Sequence, residues 1–95
     1  MSGDFVYLGD MPDIECDFGR DVSTASVRSF EALKPDGTTT SWAAAANGAT
    51  GIKYAVPDTS TLNKAGSWVI QPKLTIGGKT YSGTPFTLEV RRPFT

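Results

Sequence analysis

Turn-forming residues punctuate this chain at short intervals: Gly9, Asp17-Phe18-Gly19, Pro35-Asp36-Gly37, Asn47-Gly48, Ala65-Gly66 and Gly77-Gly78. Runs rich in valine, isoleucine, threonine, tyrosine and tryptophan fill the gaps, and none sustains a long helical period. Frequent turns between short β-rich runs point to an all-β sandwich or barrel. About seven strands are expected, over residues 5–8, 13–18, 25–34, 38–45, 51–56, 67–76 and 79–91. The run Ala43-Ala44-Ala45-Ala46 favours helix by propensity but is too short to nucleate one, so it reads as the end of a strand.

Three stretches specify local geometry. In Lys34-Pro35-Asp36-Gly37, proline presets φ for a type I turn and glycine supplies the left-handed residue that rejoins the strand. Pairing Lys34 with Thr38 then sets Phe30 opposite Trp42 on one face. Gly77-Gly78 marks a two-residue hairpin that pairs Leu74 with Tyr81. Yet the apolar faces on either side of that hairpin, Trp68, Ile70, Leu74 and Ile76 against Phe86, Leu88 and Val90, are both even-numbered. They match only if one residue is inserted between them, and Ser82-Gly83-Thr84-Pro85 is where a bulge belongs. Beyond it, Phe86 joins Ile70 and Leu88 joins Trp68. Trp68 is the expected core anchor.

Residues 13–18 alternate strictly, with Ile14, Cys16 and Phe18 inward and Asp13, Glu15 and Asp17 outward. Carboxylates at every second position of one strand fan along a face and do not wrap a calcium ion. Cys16 is a small apolar residue on the buried face.

Composition removes most chemistry. A hydrophobic share of 39% with 20% charged residues suits a folded globular chain and not a disordered one. No apolar run nears the roughly 20 residues of a membrane helix. With one cysteine and no histidine, disulfides within the chain, zinc sites of the four-Cys or Cys/His kind, and Ser-His-Asp or Cys-His nucleophiles are all excluded. The carboxylates are dispersed and no glycine-rich phosphate loop opens a helix, so no enzyme activity and no cofactor are expected. A pI of about 5.2 without a dense basic patch argues against nucleic acid. The opening residues lack a basic n-region and an apolar h-region, so folding in a reducing cytosol is expected. Charge is uneven. Asp4, Asp10, Asp13, Glu15, Asp17 and Asp21 face only Arg20 within residues 1–21, while the remainder is net positive. The acidic run reads as a solvated strand face and loop, with a contact surface for a basic partner as the alternative.

Leu62 followed by Ala65-Gly66 and Trp68 resembles the corner entering the F strand of immunoglobulin-like sandwiches, without its tyrosine. The order "KPDGTTTSW", "NGATGIKYAV" and "LNKAGSWVIQPKLTIGGKTYSGTPFTLEV" resembles small immunoglobulin-like domains of tailed phages and prophages. The N-terminal domains of phage baseplate upper proteins are the nearest in kind. That resemblance covers roughly residues 22–91 and implies an immunoglobulin-like antiparallel β-sandwich, with residues 1–95 forming a single domain. It implies a non-enzymatic virion component of the tail, baseplate or fibre adaptor, made in the host cytoplasm. Its partners would be other virion proteins, in a homo-oligomer of a symmetric particle, with no nucleic acid or membrane.

The alternatives are a capsid decoration protein, or a carbohydrate- or surface-binding module in which Trp42, Tyr54 and Tyr81 stack on sugar rings. The ends, residues 1–10 and 91–95, are apolar for terminal segments. Phe5, Tyr7, Leu8, Asp10, Asp13, Arg91, Arg92 and Phe94 are therefore the candidate partner-binding residues, by strand addition or an aromatic anchor.

Overall fold

A computed structural model describes residues 5–93. Those residues form nine strands and no helix: β1 (Phe5–Tyr7), β2 (Asp13–Asp17), β3 (Val27–Leu33), β4 (Thr39–Ala43), β5 (Ala45–Asn47), β6 (Gly51–Ala55), β7 (Gly66–Ile76), β8 (Lys79–Ser82) and β9 (Phe86–Arg91). The larger sheet runs β1-β9-β7-β3-β4, with β8 also paired to β7, and the smaller runs β2-β6-β5. Their apolar faces meet in one core, so the fold is an all-β sandwich.

The hairpins form as their turn residues dictate. Lys34 N–H donates to Thr38 C=O at 2.8 Å, Gly37 takes φ 88°, and Phe30 stands opposite Trp42. Gly77 and Gly78 both have positive φ, 58° and 79°, as a two-residue hairpin twisted to match its strands requires. Leu74 pairs with Tyr81, yet Ile70 pairs with Phe86 and Trp68 with Leu88, so the register slips by one residue between β8 and β9. Gly83 sits at the slip, its N–H donating to Pro72 C=O at 2.9 Å. A Cβ there would meet Pro72 Cγ at 2.7 Å and the Phe18 ring at 3.1 Å, so only glycine lets the chain pass this close.

Two expected strands are each divided. Residues 79–91 break at that slip. Residues 38–45 break at Ala44, where the chain leaves the larger sheet for the smaller while Ala44 N–H still donates to Arg28 C=O at 2.9 Å. The pairing also departs from all-antiparallel, because β1 runs parallel to β9, Phe5 beside Glu89 and Tyr7 beside Arg91.

Trp68, Phe30, Ile52, Leu62, Ile70 and Leu74 are essentially fully buried. Trp68 stacks on Trp42 with centroids 6.1 Å apart, and Phe30 meets Phe86 edge to face at 6.4 Å. The Trp68 indole N–H donates to Lys64 C=O at 3.0 Å. That bond ties the start of β7 back to the preceding corner.

Candidate functional site

The sandwich has one closed flank and one open one. On the closed flank, β4 passes into β5 through Ala44 alone. On the other, among the described residues, β2 is the outer strand of the smaller sheet and β1 pairs with β9 along Glu89–Arg91. Between these edges lies a groove of about 480 Å³, floored by Pro12, Ile14, Cys16, Pro85, Phe86 and Leu88.

The rim of the groove has a defined hydrogen-bonding pattern. At its two ends, Val56 N–H donates to Pro12 C=O at 3.1 Å and Phe18 N–H donates to Thr50 C=O at 2.8 Å. In an antiparallel ladder, alternate residues direct both backbone groups to the same side. The even-numbered residues of β2 therefore bond β6, and Asp13, Glu15 and Asp17 turn their N–H and C=O groups to the open edge. On β9, Arg91 C=O accepts from Leu8 N–H at 2.9 Å, which sets the odd residues toward β1. Beyond Phe5, the first described residue of β1, Thr87 directs its backbone groups to the same side, followed by Pro85, which has no N–H to offer. The receiving edge is β2.

Side chains there divide by face, as the alternation requires. Ile14 is buried and Cys16 half-buried over the groove, while Asp13, Glu15 and Asp17 are exposed. Glu15 Oε1 accepts from Asn47 Nδ2 at 2.6 Å, and Asp17 Oδ1 accepts from Gly19 N–H at 2.8 Å. Burial, aided by the negative Asp17, pushes the Cys16 thiol above its ordinary pKa, which leaves it a poor nucleophile.

Of the residues expected to bind a partner, only Asp13 lines this groove. Phe5, Tyr7, Leu8, Asp10 and Arg91 instead knit β1 to its surroundings. Phe5 and Tyr7 meet edge to face at 5.7 Å, the Arg91 guanidinium lies 4.0 Å from the Phe5 ring centre, and Asp10 Oδ2 accepts from Tyr7 N–H at 2.9 Å. Arg91 Nε also reaches Glu89 at 3.0 Å, and Leu8 packs against the core. Arg92 follows β9 at the surface, and Phe94 lies outside the described residues. In the sequence Glu15 and Asp17 read only as part of the acidic run of residues 1–21, and the Thr84–Leu88 side of the groove was missed. The signal was present in carboxylates alternating along one strand and a proline opening another, two devices typical of strands at sheet edges.

The geometry defines an all-β sandwich with an exposed edge strand beside an apolar-floored groove. No protein-family model matches the sequence, and no curated protein sequence does either. Among solved structures the fold is similar to that of CopC from Methylosinus trichosporium OB3b. The TM-score is 0.67 at 17% identity, over 97% of this chain and 86% of that one.

This likeness overturns the phage reading. The sandwich aligns along nearly its whole length with CopC and not with a baseplate domain. The virion function, the tail and baseplate placement and the virion location rested on that resemblance and fall with it. The motifs that carried it, "KPDG", "NG", "GG" and the core tryptophans, are what such hairpins and such a core need in any sandwich. The capsid and carbohydrate alternatives gain no support. Trp42 is buried and stacked on Tyr54 at 5.0 Å and 7°, and Arg20 lies over the Tyr81 ring at 5.0 Å, so these rings are engaged within the protein itself.

Proposed function

We propose that this sandwich is a non-catalytic binding module that takes an extended polypeptide segment as an added strand on β2. The observation that carries this reading is the coincidence of two features on one flank. The outward N–H and C=O groups of Asp13, Glu15 and Asp17 stand on the rim of a groove with an apolar floor. Strand addition uses those two features together, main-chain bonds for affinity and a groove for alternate side chains. The likeness to CopC supports the frame and supplies no ligand. A metal-handling role would need a donor set. The chain has no histidine, and the described residues contain no group of three or more Cys, Asp or Glu side chains placed to hold an ion.

Titration of the 15N-labelled protein with capped, β-branched heptapeptides tests the proposal. Amide shifts are expected at residues 13–17 and at Thr87. They should vanish in Glu15→Pro, which removes an N–H that β6 does not use, while the variant stays folded. Shifts confined to other edges, or binding that survives Glu15→Pro, would overturn it.

A further inference from the structure

The following inference rests on that binding reading and concerns the chemistry of the segment bound. We infer that the added strand is basic, with lysine or arginine at every second position and apolar residues between them. The backbone groups free at the edge belong to the same residues that carry the carboxylates, Asp13, Glu15 and Asp17. In a pleated sheet, residues opposite one another on neighbouring strands lie on the same face. A strand added to β2 therefore sets alternate side chains beside the carboxylates and the intervening ones over Ile14, Cys16 and Phe86. One edge asks for cations on one face and apolar groups on the other.

The smaller sheet does little to balance that charge. Across β2 and β6, Glu15 has Lys53 opposite, but Asp13 faces Ala55 and Asp17 faces Gly51. The ion pairs among the described residues, Lys64 with Asp36, Lys73 with Glu31 and Arg91 with Glu89, all lie elsewhere. The same charges reject a second copy of this chain. Two β2 strands paired antiparallel about a two-fold axis at Glu15 would set Glu15 against Glu15 and Asp13 against Asp17. Like charges directly opposite destabilise a strand pair. The edge is closed to itself and open to a cationic strand.

Three capped heptapeptides discriminate, alternating valine with lysine, serine or glutamate. At low salt the lysine peptide should bind about tenfold more tightly than the serine peptide, since three cross-strand charge pairs of modest strength add to that order. The glutamate peptide should not bind detectably. The preference should shrink at about 0.5 M salt, where screening reaches only a few ångströms. It should also fall severalfold in Asp13→Asn/Asp17→Asn. A lysine peptide N-methylated along its β2-facing edge should not bind, which separates strand addition from loose attraction of charge. Equal binding of the lysine and serine peptides at β2 would overturn the charge inference and leave the binding proposal standing. If no peptide shifts the β2 amides, both are overturned.

Discussion

Asp36 shows how much one exposed side chain can set in this chain. Its Oδ1 accepts from the Thr38 hydroxyl at 2.6 Å and from Thr38 N–H at 3.0 Å, fixing the turn that aligns β3 with β4. Those bonds, with help from Lys64, lower its pKa from 3.8 to about 2. A carboxylate whose pKa is lower in the folded state stabilises that state above its unfolded value, and the contribution fades as pH falls through the folded value. Asp36→Asn should therefore unfold at lower urea than the wild type at neutral pH, and the gap should close between about pH 4 and pH 2. A gap independent of pH would show that the carboxylate charge is not what the turn uses. Deeper in, Trp68 is fully buried and its indole is bonded to Lys64 C=O. Trp68→Ala should cost about 3–5 kcal/mol by calorimetry or urea melts, against the roughly 5–15 kcal/mol that holds a typical domain folded. A variant melting within a few degrees of the wild type would place the centre of the core elsewhere.

Among the elements, β2 carries the most consequence. Its alternation assigned both faces correctly from residues 13–18 alone, since a period of two is a local property. That β2 is an outer strand was hinted at by its alternating carboxylates, but which flank it opens onto was not legible, because that depends on which strands lie beside it. Its one neighbour, β6, lies some 40 residues further along the chain, where no local pattern announces the pairing. The slip between β8 and β9 was legible for the opposite reason: two apolar faces with incompatible parity flank a glycine and a proline, and only an inserted residue reconciles them. Residues 5–8 were expected as a strand, and β1 is one, but its place in the sheet was not legible. It pairs with β9 in parallel, an arrangement that short-range patterns do not encode. The charges on β2 also yield a prediction about the element alone. Replacing Asp13, Glu15 and Asp17 by Asn, Gln and Asn removes the repulsion that keeps two such edges apart. The triple variant should form a concentration-dependent dimer in sedimentation velocity that the wild type does not form. A variant that stays monomeric at millimolar concentration would mean that the carboxylates do not guard the edge.

At the scale of the whole molecule, the two sheets are held together unequally. Loops carry the chain from sheet to sheet between β1 and β2, between β2 and β3 and between β6 and β7, whereas β4 reaches β5 through Ala44 with no loop at all. The tether at Ala44 is the shortest, and so the stiffest, of these joints. A swing of the two sheets about that joint, like the covers of a bound book about its spine, would displace the margins of β2 and β9 most, where the link from β1 to β2 over residues 8–12 is the tie. A strand seated at that margin would lie across the sheet from the β4–β5 spine. Its occupancy would be transmitted to the core as stiffness, and the stacked rings of Trp42, Tyr54 and Trp68, which cross between the two covers, would register it as a change in their motion.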